Sequence, residues 1–157
     1  MISTEEMLNF VEMLGINIYP ADLHKMDKRT DAFAWPEKQM IVIDQSLLKN
    51  HRRFRSILAE EIGHCLHPPR SGHVLYHYRY KELTYAQRSD VEAIVAQDEK
   101  NAIAWATRFL MPDAEFRKVM ALHKNVDKIA EHFDVEPWFV YARLMTIYNK
   151  PKMRKAN

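Results

Sequence analysis

The stretch from Phe54 to Leu66, closed by Pro68-Pro69, restricts the fold of this chain more than any other. Placed at about 100° per residue, Phe54, Leu58, Ile62, Cys65 and Leu66 share one arc of roughly 120°, as the core face of a helix requires. The prolines end that helix, which the spacing predicts over about Leu48 to Leu66. Beside the apolar arc, Glu60, Glu61 and His64 lie within about 100° of one another. Two adjacent like charges and an imidazole gain nothing from ordinary pairing with Lys or Arg, so a cation is expected at their centre.

Composition limits what that cation can be held by. One cysteine, Cys65, among 157 residues makes neither an internal disulfide nor a cysteine-based zinc knuckle, so ligands must come from the 8 histidines and the carboxylates. Cys65 itself falls in the apolar arc and is expected to be buried and inert. With 23 basic and 21 acidic residues the formal charge is +2, which argues against a polybasic nucleic-acid binder. Met1 to Glu6 carry neither a basic nor an apolar leader segment, and no apolar run approaches the roughly 18 residues of a spanning helix. A cytoplasmic, reducing location without membrane attachment is the expectation.

The organisation reads as a single α+β domain, mostly helical with a small sheet. Ser3 and Glu6 form a capping-box pattern ahead of a helix over 4–14, and Gly15 stops it. Ile16 to Tyr19 reads as a short strand ending at Pro20, followed by a polar connector from His24 to Arg29. Ala32 to Trp35 and Met40 to Asp44 read as a hairpin about a Pro36-Glu37-Lys38 turn. Residues 68–86 are aromatic and His-rich and give no regular pattern. A long helix is expected from about Asp90 to Leu110, then three short ones, Ala114 to Leu122, Val126 to Phe133 and Pro137 to Tyr148. These boundaries divide the chain into a core over 1–112, a helical subdomain over 113–149 packed on it, and a basic tail over 150–157.

The long helix holds the third acid. On a wheel zeroed at Glu99, Val95, Ala96, Ala102, Ile103, Ala106 and Leu110 lie within about 60°, a mostly small-residue stripe that lets helices approach closely. A carboxylate embedded there needs a cation or a shifted pKa. Glu60 and His64, one helical turn apart, can reach one ion, and Glu99 supplies a third ligand from the second helix. Three protein ligands leave the fourth position of a tetrahedral zinc to water, the pattern of a catalytic site. Glu61 then serves as the general base that takes a proton from the bound water and later donates it to the leaving amine.

These two stretches, Ala59-Glu60-Glu61-Ile62-Gly63-His64 and, about thirty-five residues on, Glu99 to Pro112, resemble the ImmA/IrrE family of bacterial and phage metallopeptidases. The family's usual motifs are HExxH on the first helix and E-x-x-A-x-x-F/W-A, ending in L-M/I-P, on the second. The resemblance runs from about Ile16 to Tyr148. It implies a minimal zincin-like fold, a zinc ion and peptide-bond hydrolysis, with repressor-type regulators of mobile elements as the substrate class. Glu60 departs from the pattern, standing where the family has histidine. Two carboxylates and one imidazole cancel the charge of zinc, which weakens its Lewis acidity and admits manganese or another hard divalent ion. Slow intrinsic hydrolysis, or dependence on an activating partner, is the expectation.

Other readings stand beside these. Glu60 and His64 could be a surface pair and Glu61 an ordinary acid. His67, one turn beyond His64, is an alternative ligand, and His73 or His77 could replace one or contact substrate. Tyr76 or Tyr78 could steady an oxyanion or simply pack. Ala32 to Trp35 is a candidate edge strand for extended substrate, or merely a cover for the helices. Val126 to Leu144 has helix-turn-helix spacing. Residues 113–157 hold nine basic and six acidic side chains, four of the nine in the last eight residues, so protein recognition is favoured over DNA binding. A non-catalytic relative that acts by binding a regulator is the alternative function.

Overall fold

The computed structural model describes residues 1–68 and 85–148. Its helices are α1 (Thr4–Met13), α2 (His51–Leu66), α3 (Tyr85–Leu110), α4 (Asp113–Leu122), α5 (Val126–Phe133) and α6 (Pro137–Tyr148). The strands are β1 (Asn17–Ala21), β2 (Ala32–Trp35) and β3 (Met40–Asp44), in a three-stranded sheet of order β1-β3-β2. This is the mostly helical α+β architecture that the sequence patterns predict.

Local chemistry accounts for most boundaries. Ser3 accepts the Glu6 N–H while Glu6 accepts the Ser3 N–H, so the capping box forms and α1 starts there. Helix α2 begins at His51 rather than Leu48. Asn50 is its N-cap, accepting the Arg53 N–H at 3.2 Å, and Gln45–Lys49 forms a separate 3-10 turn capped by Asp44. Helix α3 begins five residues earlier than expected, at Tyr85; Ala86, Gln87 and Arg88 are strong helix formers with no breaker among them. Strand β1 continues through Pro20 to Ala21, because it is an edge strand and proline there costs no ladder bond on the open side.

The hairpin of β2 and β3 is antiparallel, pairing Phe33 with Val42 and Ala34 with Ile41. Strand β1 pairs parallel to β3, Tyr19 beside Val42, a relation that spacing along the chain could not indicate. Period-two alternation sends Ile41 and Ile43 inward, where they are buried, and leaves Tyr19, Phe33 and Trp35 exposed on the other face. One hydrophobic cluster joins the strand residues to Leu58, Ala59 and Ile62 of α2, Ala106 and Leu110 of α3, and Phe116, Phe133 and Phe139 of the last three helices. Helix α2 lies at its centre, packed along α3 and under β2.

The N-terminal half of α2 ties the N-terminus to the turn between α5 and α6. Buried Arg55, 2% exposed, donates from Nε to the Asp134 carbonyl at 2.9 Å, from Nη1 to Thr4 Oγ1 at 2.9 Å and from Nη2 to the Ile2 carbonyl at 2.8 Å. The neighbouring Ser56 hydroxyl accepts the Glu136 N–H at 2.9 Å. The turn between α5 and α6, with Asp134 at φ 53, is thereby docked on α2. The C-terminal half of the same helix is left to carry the candidate ligands.

Candidate metal centre

Glu60 and His64 are one turn apart on α2, and Glu99 faces them from α3. One ligand atom from each lies within 4.8 Å of the other two, close enough to hold a single ion. His64 Nε2 is 3.4 Å from Glu99 Oε2. The helices come this near because Gly63, Ala59, Ala102 and Ala106 place almost no side-chain volume between them, and all four are buried. The three residues joined by sequence reasoning are therefore brought together.

Exposure differs from the expected pattern at one of them. The Glu99 side chain is 47% exposed, not embedded, whereas His64 is 16% exposed and Glu60 and Glu61 are partly buried. Ala102, Ala106 and Leu110 of the α3 stripe are fully buried, and Glu99 stands at its open end. The desolvation cost thus falls on the acids of α2. Burial raises Glu60 above its ordinary range, and the Glu99 charge adds to this while His64 opposes it. Burial likewise pushes Glu61 up to about 7, with Glu60 and Glu99 contributing and His64 working against them. Burial works against a charge on His64, but the hydrogen bond to Glu99 and the surrounding carboxylates outweigh it and raise its pKa.

That balance tests whether a metal suits the site. Three carboxylates draw a proton onto His64, the one imidazole that meets them among the described residues, which is a deficit of positive charge in a partly buried site. A divalent cation fits such a donor set, displacing the imidazole proton as it binds. The oxygen-rich ligands suit zinc and also harder divalent ions.

The backbone of Ala34, on β2, works weakly against the upward shift of Glu61. Sequence reasoning named Glu61 but did not link it to Ala34, since nothing along the chain signals which strand faces a helix side chain. Gly63 was also not singled out, although a lone glycine inside a helix is itself a sign of close approach.

The remaining candidates are placed as follows. His67 is exposed at the C-cap of α2 and is not among the converging ligands. Cys65 packs against the core, half-buried, and burial pushes its thiol up to about 11, which leaves it protonated and unreactive. His73, His77, Tyr76 and Tyr78 lie outside the described residues. Helices α5 and α6 have helix-turn-helix spacing, but Arg143, the basic residue of α6, is 1% exposed and paired with Asp113. The outward positions are Trp138, Tyr141, Met145 and Tyr148, so α6 presents no cationic face to a phosphate backbone. Among the described residues no helix is long and apolar enough to cross a membrane.

Comparison with known proteins follows the same line. The family model described as the IrrE N-terminal-like domain, peptidase M78, matches residues 11–145. No curated protein and no solved structure matches the chain.

Proposed function

The chain belongs to the IrrE N-terminal-like family of metallopeptidases, and from that premise we propose that it is a zinc-dependent endopeptidase which cleaves a repressor-type transcription regulator in the cytoplasm. Glu60, His64 and Glu99 hold the ion, and Glu61 is the general base. The observation that carries this reading is the convergence of those three ligand atoms within 4.8 Å beside a partly buried carboxylate. When bound, the ion supplies Lewis acidity to the scissile carbonyl and the attacking water.

The residues of the chain supply the rest. Glu61 takes one proton from the attacking water as its oxygen bonds to the carbonyl carbon. It returns that proton to the amide nitrogen as the C–N bond breaks, giving a carboxylic acid and an amine, which settle as carboxylate and ammonium at neutral pH. In the metal-free site burial holds Glu61 up at about 7, and a bound cation would oppose that rise and favour the carboxylate that accepts the proton. The open edge of β2, Ala32 to Trp35, would hold an extended substrate by main-chain pairing.

Metal analysis and cleavage of a candidate repressor, compared between wild type and Glu61→Gln, test this directly. The proposal requires Glu61→Gln to keep its zinc and lose cleavage by roughly 10²-fold or more. Zinc retained with cleavage unchanged would show that Glu61 is not the base, whereas no cleavage by wild type would leave a protein that binds its regulator without hydrolysing it.

A further inference from the structure

Helix α6 is apolar on both sides. Its core side carries Phe139, Val140 and Arg143, all buried, with Leu144 and Ile147 packed against the hydrophobic cluster. Arg143 is the one charged residue of the helix, and it is turned inward onto Asp113. The opposite side holds every exposed residue of the helix, Trp138, Tyr141, Met145 and Tyr148, within about 80° of one another. They are 38%, 58%, 59% and 72% exposed. A helix at a solvated surface turns charged groups outward, whereas one that is apolar all round belongs between two layers. Among the described residues only the inner layer is present.

We propose that the outer face of α6 is a self-association surface, on which α6 of a second copy of this chain packs antiparallel across a two-fold axis beside Arg143. Three features select a second copy as the occupant. The exposed residues lie three, four and three positions apart, the repeat of a seam between two helices, and this order reads the same in both directions. An antiparallel copy therefore sets Trp138 on Tyr148 of the partner subunit and Tyr141 on Met145 of the partner subunit, each contact occurring twice, as an isologous interface requires. An aromatic pair and a sulfur against a ring are both favourable contacts. No exposed position of α6 carries a charge, so nothing on one face repels its copy. Finally, taking about 200 Å² for a large side chain, the exposed fractions leave roughly 450 Å² on each copy and about 900 Å² across the pair. Interfaces below about 1,200 Å² belong to weak, reversible complexes, so a dimer that dissociates at roughly 10–100 µM is expected. Trp138 already rests edge-on against Phe139, ring centroids 5.3 Å apart, so burying it costs little side-chain freedom. The inference stands apart from the peptidase reading, since α6 holds none of the candidate ligands.

Sedimentation equilibrium of the full chain over roughly 1–500 µM tests it, and wild type should pass from monomer to dimer within that range. Tyr141→Glu and Met145→Lys alter exposed side chains and should keep the helical circular dichroism of wild type. Each should weaken self-association by at least about tenfold, because an unpaired charge is then buried against the copy. Mixed in equal amounts, the two variants should associate within about threefold of wild type, since the two-fold axis brings position 141 of one onto position 145 of the other and the charges meet as a pair. Leu122→Glu, on α4 and outside the stripe, changes a side chain that is 77% exposed and should leave the dissociation constant within about threefold. Wild type that stays monomeric at about 500 µM would overturn the proposal and leave the face to a different partner. So would a dimer that folded Tyr141→Glu does not weaken, or one that the mixed variants fail to restore.

Discussion

Gly63 on α2 stands directly against the backbone of Ala102 on α3: a Cβ at position 63 would lie 2.5 Å from the Ala102 carbonyl oxygen and 3.1 Å from its Cα. Real Cβ atoms do not come that close to backbone, so even one methyl group would force the helices apart. Gly63 precedes His64 by one residue and Ala102 follows Glu99 by three, so this contact sets the distance across which the candidate ligands meet.

Gly63→Ala should therefore act against the usual trend. In an exposed helix that change stabilises by about 1 kcal/mol, through lower backbone entropy in the unfolded chain. Here overpacking should destabilise by roughly 1–3 kcal/mol, and zinc affinity should fall by at least about tenfold as Glu99 is displaced from His64. Thermal unfolding of the metal-free protein and zinc titration check the two effects separately. Unchanged zinc affinity would mean that the helix separation does not control the site.

Under the proposed ligand set, Glu60 sets the charge around the ion. With Glu60, Glu99 and His64 as ligands a divalent ion is fully neutralised, whereas Glu60→His leaves one positive charge and a softer donor set. Zinc should then be preferred over manganese by at least about tenfold more than in wild type, measured by competition between the two metals. An unchanged preference would show that Glu60 is not a ligand.

How far the sequence could be read depended on the range of the interaction. The Ser3–Glu6 capping box and the bounds of α5 and α6 follow from residues three or four apart, and each forms as patterned. The meeting of Glu60 and His64 with Glu99 was legible because an i,i+4 pair and a small-residue stripe both leave periodic marks. Parallel pairing of β1 with β3 and the burial of Arg55 leave none. Each depends on which distant segment packs against it, and Glu99 lies on the open side of its stripe for the same reason.

Asp134 is the partner of a guanidinium that water cannot reach. Its carboxylate lies 2.7 Å from His51 Nδ1 and 3.5 Å from Nε of both Arg52 and Arg55, and burial alone would drive the Arg55 pKa down. Asp134→Asn keeps the side-chain size and tolerates the left-handed backbone at φ 53, so it removes little besides the charge. It should cost about 1–3 kcal/mol in urea unfolding, reduced from the buried-pair range because Asp134 is about one third exposed to solvent. Zinc affinity should be unaffected, since this network holds the other end of α2.

Asp44 gives the fold an acid-sensitive anchor of known sign. It is 2% exposed at the end of β3, where one oxygen accepts the Ser46 N–H at 2.9 Å and the other the His24 N–H at 3.0 Å. The Ser46 hydroxyl, those two amides and the nearby His24 ring hold its carboxyl down to about 2, from an ordinary 3.8. A carboxylate whose folded pKa lies below its unfolded one binds fewer protons when folded than when unfolded. Its stabilising effect is complete above about pH 4 to 5 and is lost as pH falls toward 2. Asp44→Asn removes that dependence while leaving every other titrating group in place. The difference in urea midpoint between wild type and Asp44→Asn should thus be constant from pH 7 to about 5 and shrink steadily from pH 4 to 2.5. A difference that stayed constant across the whole range would mean that the Asp44 charge is not what the Ser46 and His24 groups stabilise.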